Sequence, residues 1–187
     1  AEGTATDTCL IRVSSSAAVA EKKLRRWLEE FVVGLNLCPF AKPVLRSDTL
    51  QITICAETDQ NALEHALLQA LDLLQRSSEE QLVTTLLVFT DSLFDFEEFL
   101  NFVERSEALV EHAGLSGLVQ LASFHPRYQF ADEPPQAASH FSNRAPYPML
   151  HLLRENMITR ALADYPNPES IPANNIDTLN RIGVATL

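Results

Sequence analysis

The side chains that could do chemistry concentrate in one stretch of this chain, from Phe124 to Glu155. The stretch begins Phe-His-Pro-Arg-Tyr-Gln-Phe, passes through an acidic, proline-containing loop, and ends Ser-Asn-Arg-Ala-Pro-Tyr-Pro-Met-Leu-His-Leu-Leu-Arg-Glu. It holds three histidines, three arginines and two tyrosines. Prolines restrict the backbone around these side chains and so fix their geometry. We therefore expect a functional site in this stretch, with the rest of the chain as its scaffold.

The arginines of this stretch indicate an anion. Guanidinium groups bind carboxylate or phosphate through two parallel hydrogen bonds. Arg144 also precedes a proline-rich segment that we predict to start a helix, and free N–H groups at a helix start favour anions. The predicted ligand-binding residues are Arg127, Tyr128, Asn143, Arg144, Tyr147 and Arg154. The alternative is internal neutralisation of the arginines by Asp132, Glu133 and Glu155.

Cys38 and His125 are the predicted catalytic pair. A cysteine acts as a nucleophile in its thiolate form, which a nearby imidazole favours. Cys38 lies in the segment Leu-Cys-Pro-Phe-Ala-Lys-Pro, and His125 follows a predicted strand, where it could act as general acid or base. The alternative for Cys38 is a small apolar residue packed in the interior.

A metal site is a further possibility. His151 and Glu155 are four residues apart and would share a face if they lay on a helix. Together with His125, and with Cys38 or His140, they could hold zinc or iron. The alternative is an ordinary hydrogen bond on a helix surface. The sequence contains no phosphate-binding glycine loop and no serine-hydrolase or zinc-protease motif, so it names no cofactor.

Composition limits the partners. The chain has 187 residues and a formal net charge of -11, with no run of basic residues of the kind that binds nucleic acid. Its three cysteines, Cys9, Cys38 and Cys55, form no Cys-x-x-Cys pair, which suits a reducing compartment. No apolar run approaches the roughly 20 residues of a membrane span. We expect a soluble intracellular protein of the cytoplasm, or of an organelle matrix or stroma after loss of a targeting peptide.

Hydrophobic periodicity and capping residues predict alternating helices and strands. Residues 1–19 are predicted to be a flexible arm and residues 20–187 a single domain. Asp59 suits a helix N-cap, and Gly114 suits a helix end. The predicted helices span about 20–35, 61–76, 96–112 and 147–164, with a short last helix reaching Arg181; the predicted strands span 50–55, 82–89 and 118–124.

This alternation predicts an α/β fold with a small, mainly parallel sheet flanked by helices, because each crossover contains a helix. A ferredoxin-like α+β sandwich is the alternative if Val44 and Leu45 belong to a further strand. In open α/β sheets ligands bind beyond the carboxyl ends of the strands. Asp91 and His125 follow the second and third predicted strands, so we expect the site at this edge.

Three motifs resemble a known family. They are Asn-Leu-Cys-Pro-Phe-Ala from Asn36, Phe-His-Pro from Phe124 with Tyr128 and Phe130, and the thirteen-residue segment from Asn143 to Glu155. Together they resemble the family known as domain of unknown function 1415, over roughly Glu21 to Asp164. The resemblance implies a soluble, single-domain protein and carries no activity over to this chain.

Three functions remain open at this point. The first is binding of a small anionic molecule in a Cys/His/Arg/Tyr pocket, with or without catalysis. The second is an accessory or assembly subunit whose Tyr128–Pro148 segment docks on a protein complex. The third is a metal-binding protein. The first requires the Cys38 segment, the turn at His125 and the proline-started helix to meet at one cavity.

Overall fold

A computed structural model describes residues 15–187 of the chain. Within them it contains α1 (Ser15–Trp27), α2 (Ala41–Arg46), β1 (Leu50–Cys55), α3 (Gln60–Arg76), β2 (Thr84–Phe89), α4 (Phe96–His112), β3 (Val119–Phe124), β4 (Met149–Arg154), α5 (Glu155–Ala163) and α6 (Ile171–Ile182). A π-helical segment, Leu28–Val33, continues α1, and 3-10 helices span Ala138–Ser142 and Pro168–Ser170. No helix among these residues is long and apolar enough to cross a bilayer.

The elements with strong local signals form where the sequence predicts them. The side chain of Asp59 accepts hydrogen bonds from the first N–H groups of α3, as expected of an N-cap. Asp95 does the same for α4. The continuous aliphatic run of β2 is buried on both faces. The prediction of strand, helix, strand, helix, strand from β1 to β3 is therefore confirmed to within a few residues.

The helix predicted from Tyr147 to Asp164 is wrong in its first half. Met149–Arg154 is strand β4, and helix α5 begins only at Glu155. The segment alternates between the two faces of the sheet: Leu150 and Leu152 belong to one core cluster and Met149 to the other. Pairing with strands on both sides of β4 outweighs the helix start that two nearby prolines suggest.

The sheet is mixed, with the strand order β1-β2-β4-β3. β1 and β2 pair in parallel, whereas β4 is antiparallel to both of its neighbours. The first three strands thus run in the same direction, as their helical crossovers require, but β4 lies between β2 and β3. An α/β domain is confirmed, and the prediction of a mainly parallel sheet is wrong. Val44 and Leu45 lie in α2, so the further strand of the ferredoxin-like alternative is not formed there.

The two faces of the sheet are covered differently. On one face α3 and α4 pack closely and bury a large core around Leu67, Phe89 and Phe99. On the other face α1 and the π-helical segment cover a smaller core around Leu24, Leu86 and Met149. A third cluster joins α6 to the 3-10 helix Ala138–Ser142 through Leu179 and Ala138. The less densely covered face is where the cavity described below is found.

The first helix begins earlier than predicted. α1 starts at Ser15 instead of about Ala20, and residues 1–14 of the predicted arm lie outside the described residues. At its other end the helix widens into the π-helical segment, in which the Gly34 N–H donates to Glu29 O at 3.0 Å. Asn36, with φ of 54°, is the left-handed residue that ends it. π-helical turns are rare and occur often at functional sites.

Candidate functional site

A cavity of about 910 Å³ lies on the face of the sheet opposite α3 and α4. Alternate residues of the four strands form its floor, among them Leu86, Ala122, Phe124 and Met149. Its walls come from the π-helical segment, α2, α5 and α6. Ligand sites in proteins are commonly concave, mainly apolar and of roughly 300–1,000 Å³. The cavity therefore has the size and the lining of a small-molecule site.

Helix α5 contributes apolar side chains to this cavity without being packed into a core. Met157, Ile158 and Ala161 line the cavity, yet no residue of α5 is fully buried. Its polar side is held by the loop that precedes β2: Asn156 donates to Glu79 at 2.6 Å, and Arg160 forms an ion pair with the same carboxylate. The apolar side of α5 therefore faces the cavity instead of a packed interior.

The residues that the sequence predicted for the site fall into two groups in the structure. Those that line the cavity are Cys38, Asn143, His151 and Arg154; those that do not are His125, Arg127, Tyr128, Arg144 and Tyr147. Polar wall residues that the sequence did not single out are Thr84, Gln120, Ser139, Ser142 and Asn175. The Cys38 segment and β4 thus meet at one cavity, whereas the side chain of His125 does not line it.

His151 is the titratable group at the centre of the cavity floor. Thr84 Oγ1 donates its hydrogen to Leu152 O at 2.6 Å, so it must accept the hydrogen bond that joins it to His151 Nε2 at 2.8 Å. His151 is therefore the Nε2–H tautomer. Desolvation lowers the pKa of His151 to about 4, so the ring is neutral near pH 7. The area that the ring leaves uncovered belongs to the cavity, and Nδ1 remains a hydrogen-bond acceptor without a partner among residues 16–187.

Ser139 is a second polar residue of the cavity wall whose hydrogen bonding is incomplete. The residue is 5% exposed, and its Oγ is buried without a hydrogen-bond partner in the described part of the chain. The neighbouring Ser142 differs, because its Oγ donates to Ser139 O at 2.9 Å. A buried hydroxyl without a partner reduces the stability of the fold and is rare in proteins. This hydroxyl lies behind the surface of the cavity wall, so it lowers stability without facing the cavity.

Cys38 lies where the chain enters α2, in the wall of the same cavity. Burial raises the pKa of its thiol, and this outweighs the opposite effect of the N–H groups of Phe40 and Ala41. The residue is thus a protonated thiol near pH 7, which is a weak nucleophile. Its predicted partner His125 does not line the cavity. A catalytic role for Cys38 stays a prediction.

His125 is fully buried and is held from every side by the fold. The N–H of Arg127 donates to Nδ1 at 2.9 Å, so the ring carries its hydrogen on Nε2, which donates to Leu93 O at 3.0 Å. Phe96 and Phe99 of α4 contact the ring, each with its centroid 5.1 Å away. Burial lowers the pKa of His125. With both nitrogens in use, the ring connects the loop after β2 to the turn after β3.

The guanidinium groups of the three predicted anion-binding arginines contact backbone carbonyl groups. Arg127 donates to Phe94 O at 2.6 Å and lies 3.5 Å from Asp95. Arg144 donates to Tyr128 O at 3.1 Å and lies over the ring of Phe141. Desolvation lowers the pKa of Arg144. The neutralisation by Asp132, Glu133 and Glu155 considered from the sequence is not formed among the described residues.

Arg154 closes one end of the cavity and completes the end of α3. Its Nη2 donates to Leu74 O and, at 2.7 Å, to Ser77 O, and its Nε donates to Leu82 O at 3.3 Å. The last carbonyl groups of a helix lack partners within the helix, and a cation there also opposes the helix dipole favourably. Arg154 thus joins the end of β4 to the end of α3.

The remaining predicted residues stabilise the turns around the site. Asn143 donates to Ser123 O at 3.1 Å through its side chain and accepts from the His125 N–H at 3.1 Å through its backbone. The ring of Tyr128 packs against Phe96, with centroids 5.4 Å apart. Tyr147 packs against the α1 side of the sheet, with Lys23 Nζ 5.0 Å from its ring centre. These contacts hold the turns and helices in place around the cavity.

The helical spacing that suggested a metal site is wrong, because His151 lies in strand β4 and Glu155 begins α5. His140, the other candidate, accepts from the Phe130 N–H at 3.1 Å and donates to Pro134 O at 2.8 Å, so both of its nitrogens are in use. No group of three or more His, Cys, Asp or Glu side chains placed to hold a metal ion occurs within residues 16–187.

Comparison with known proteins places the chain in a family. A search of curated proteins and a search of solved structures each find no significant match. A family profile described as "Protein of unknown function (DUF1415)" matches residues 19–187, which include the cavity, the Cys38 segment and every strand of the sheet. The chain therefore belongs to the DUF1415 family.

Proposed function

We propose that this protein binds a mainly apolar small molecule in the cavity between the sheet and helices α2, α5 and α6. The observation that carries the proposal is the apolar side of α5, where Met157, Ile158 and Ala161 face the cavity without being buried. Burial of apolar surface contributes roughly 25 cal/mol per Å², so a ligand in contact with this side is stabilised without any charged contact. An apolar ligand completes the packing on this face of the sheet.

An anionic ligand, as expected from the sequence, receives less support from this geometry. Arg127 and Arg144 do not line the cavity, and Arg154, which does, donates to three carbonyl groups. A carboxylate or phosphate in the cavity would lose its hydration without gaining a free cation. The proposal therefore keeps a small-molecule ligand and changes its chemical class.

Catalysis and docking on a partner receive less support than binding. Cys38 is a protonated thiol near pH 7, since burial raises its pKa. The aromatic side chains of the Tyr128–Pro148 segment pack inward: Tyr128 contacts Phe96, and Phe130 stacks on His140. An interface core needs exposed aromatic groups. The accessory-subunit role thus remains an alternative without a specific observation in its favour.

The proposal is tested by titrating the protein with N-phenyl-1-naphthylamine, a neutral apolar dye that fluoresces in apolar surroundings. Trp27 is the single tryptophan of the chain and lies in the cavity wall, so energy transfer from Trp27 to the dye reports binding to the protein. We expect saturable binding with transfer. Absence of saturable binding would reject the proposal.

Two substitutions on α5 provide a matched pair. Ala161 lines the cavity and Ala163, two residues later, is exposed. Ala161→Phe fills part of the cavity and is expected to weaken dye binding, whereas Ala163→Phe is expected to leave it unchanged. Equal effects of the two substitutions would show that the dye binds elsewhere.

A further inference from the structure

We infer that the ligand carries an uncharged hydroxyl-type polar group, which donates a hydrogen bond to His151 Nδ1, and that anionic ligands are excluded. This inference rests on the proposed function, since it names the class of molecule that the cavity takes. It follows from the hydrogen-bonding capacity that the wall leaves unused and from the charges around it.

The hydrogen-bond acceptor that the cavity wall leaves without a partner is uncharged. At His151 the fixed tautomer leaves Nδ1 as an acceptor, because Nε2–H donates to Thr84. Two amide side chains of the wall are already engaged: Asn143 donates to Ser123 O and Asn175 to Leu37 O. A hydroxyl group supplies a donor hydrogen without a charge, so it can complement this acceptor.

The charges around the cavity oppose an anion. Asp132 and Glu133 line the cavity and are exposed, which places two carboxylates where the cavity meets solvent. Arg154 is the cation of the described wall, and its N–H groups already donate to three carbonyl groups. The net charge of -11 adds a repulsion between the whole chain and any anion. An anionic ligand therefore meets like charge at the opening and finds no free cation inside.

Three ligands with the same alkyl chain and different polar ends distinguish the preference for a hydroxyl group from the exclusion of anions. Each of 1-decanol, methyl decyl ether and decanoate is used at pH 8 to displace N-phenyl-1-naphthylamine from the intact chain. We expect decanol to bind about 3- to 10-fold more tightly than the ether, because the ether cannot donate to His151. We expect decanoate to bind at least about 10-fold more weakly than decanol, because its carboxylate is desolvated without a cation.

A variant identifies the contact. His151→Phe removes the acceptor, so the preference for decanol over the ether should fall to about one. A preference for decanol that persists in the His151→Phe variant would overturn the assignment to Nδ1.

The outcomes distinguish the inference from the proposed function. If the dye itself shows no saturable binding with energy transfer, the proposed function fails. If the dye binds and decanoate displaces it as well as decanol does, the cavity binds apolar molecules and the inference about the polar group is refuted. Failure of all three decyl compounds to displace a bound dye would also refute the inference.

Discussion

Removing the hydroxyl of Ser139 should stabilise the protein. The residue is 5% exposed, and its Oγ has no hydrogen-bond partner in the described part of the chain. A buried polar group without a partner costs about 1–3 kcal/mol relative to its hydrated state in the unfolded chain. Ser139→Ala removes this cost and a single oxygen atom. We take the lower end of the range and expect the free energy of unfolding to rise by about 1 kcal/mol.

Ser142, in the same 3-10 helix and the same cavity wall, is the matched control. Its hydroxyl donates to Ser139 O at 2.9 Å, so Ser142→Ala breaks a hydrogen bond and leaves a carbonyl without that donor. We expect the free energy of unfolding to fall by about 1 kcal/mol. The two serine-to-alanine substitutions, three residues apart, should therefore change stability in opposite directions.

Urea unfolding followed by Trp27 fluorescence measures both variants, and calorimetry supplies the melting temperature. For a domain of this size about 1 kcal/mol corresponds to a shift of roughly 2–4 °C in Tm. An increase for Ser139→Ala and a decrease for Ser142→Ala would support the assignment of Ser139 Oγ as a buried hydroxyl without a partner. If Ser139→Ala lowers stability as much as Ser142→Ala does, the hydroxyl is already hydrogen-bonded and the reasoning is refuted.

Three further tests address other parts of the structure. The pKa of His151 is about 4 in the folded chain against an ordinary 6.5, so the unfolded chain binds the proton more readily. The free energy of unfolding should therefore fall by up to about 3 kcal/mol as the pH decreases from about 6.5 to about 4. In urea unfolding, His151→Gln should lack this part of the pH-dependent loss. Arg154→Met leaves carbonyl groups at the end of α3 without donors and should lower the free energy of unfolding by about 2–3 kcal/mol. Arg160→Met breaks an exposed ion pair and should lower it by less than about 1 kcal/mol. Similar losses for the two variants in calorimetry would contradict the capping role of Arg154. A Cβ at Gly34 would lie 2.0 Å from the backbone oxygen of Glu30. Gly34→Ala should therefore lower the free energy of unfolding by about 1–3 kcal/mol in urea, although alanine normally favours a helix. A stabilised variant would show that the π-helical turn is not maintained in solution.

The sequence predicts the elements whose signals are local. Asp59 and Asp95 cap helices through N–H groups within three residues of them, and β2 is recognisable by its unbroken aliphatic run. β4 lacks such a signal, because its identity as a strand depends on pairing with β2 and β3, which lie far away in the sequence. The prolines before it favoured a helix in the absence of that information.

The same strand explains why the predicted cluster of chemical groups separates in space. Met149 pairs with Phe124, next to His125, whereas Arg154 pairs with Val119 at the other end of β3. Six residues of strand span roughly 17–20 Å, so the side chains at the start and at the finish of β4 lie at opposite ends of the strand. Ser139, by contrast, carries no signal in the sequence, because a serine without a partner is recognisable only once its surroundings are known.

The position of His151 on β4 connects the fold to the proposed ligand. Because side chains alternate along a strand, the residues on either side of it, Leu150 and Leu152, enter the core under α3 and α4. His151 itself faces the cavity, where desolvation lowers its pKa to about 4. Near pH 7 the ring is neutral in the folded chain, so the lowered pKa reduces stability only below about pH 6.5. Ser139 also lowers stability, and of the four buried side-chain atoms that lack a partner within residues 16–187, its Oγ alone belongs to a residue of the cavity wall. The cavity wall therefore combines an acceptor without a partner at His151 with a buried hydroxyl that lowers stability at Ser139, as expected where packing is not optimised for stability alone.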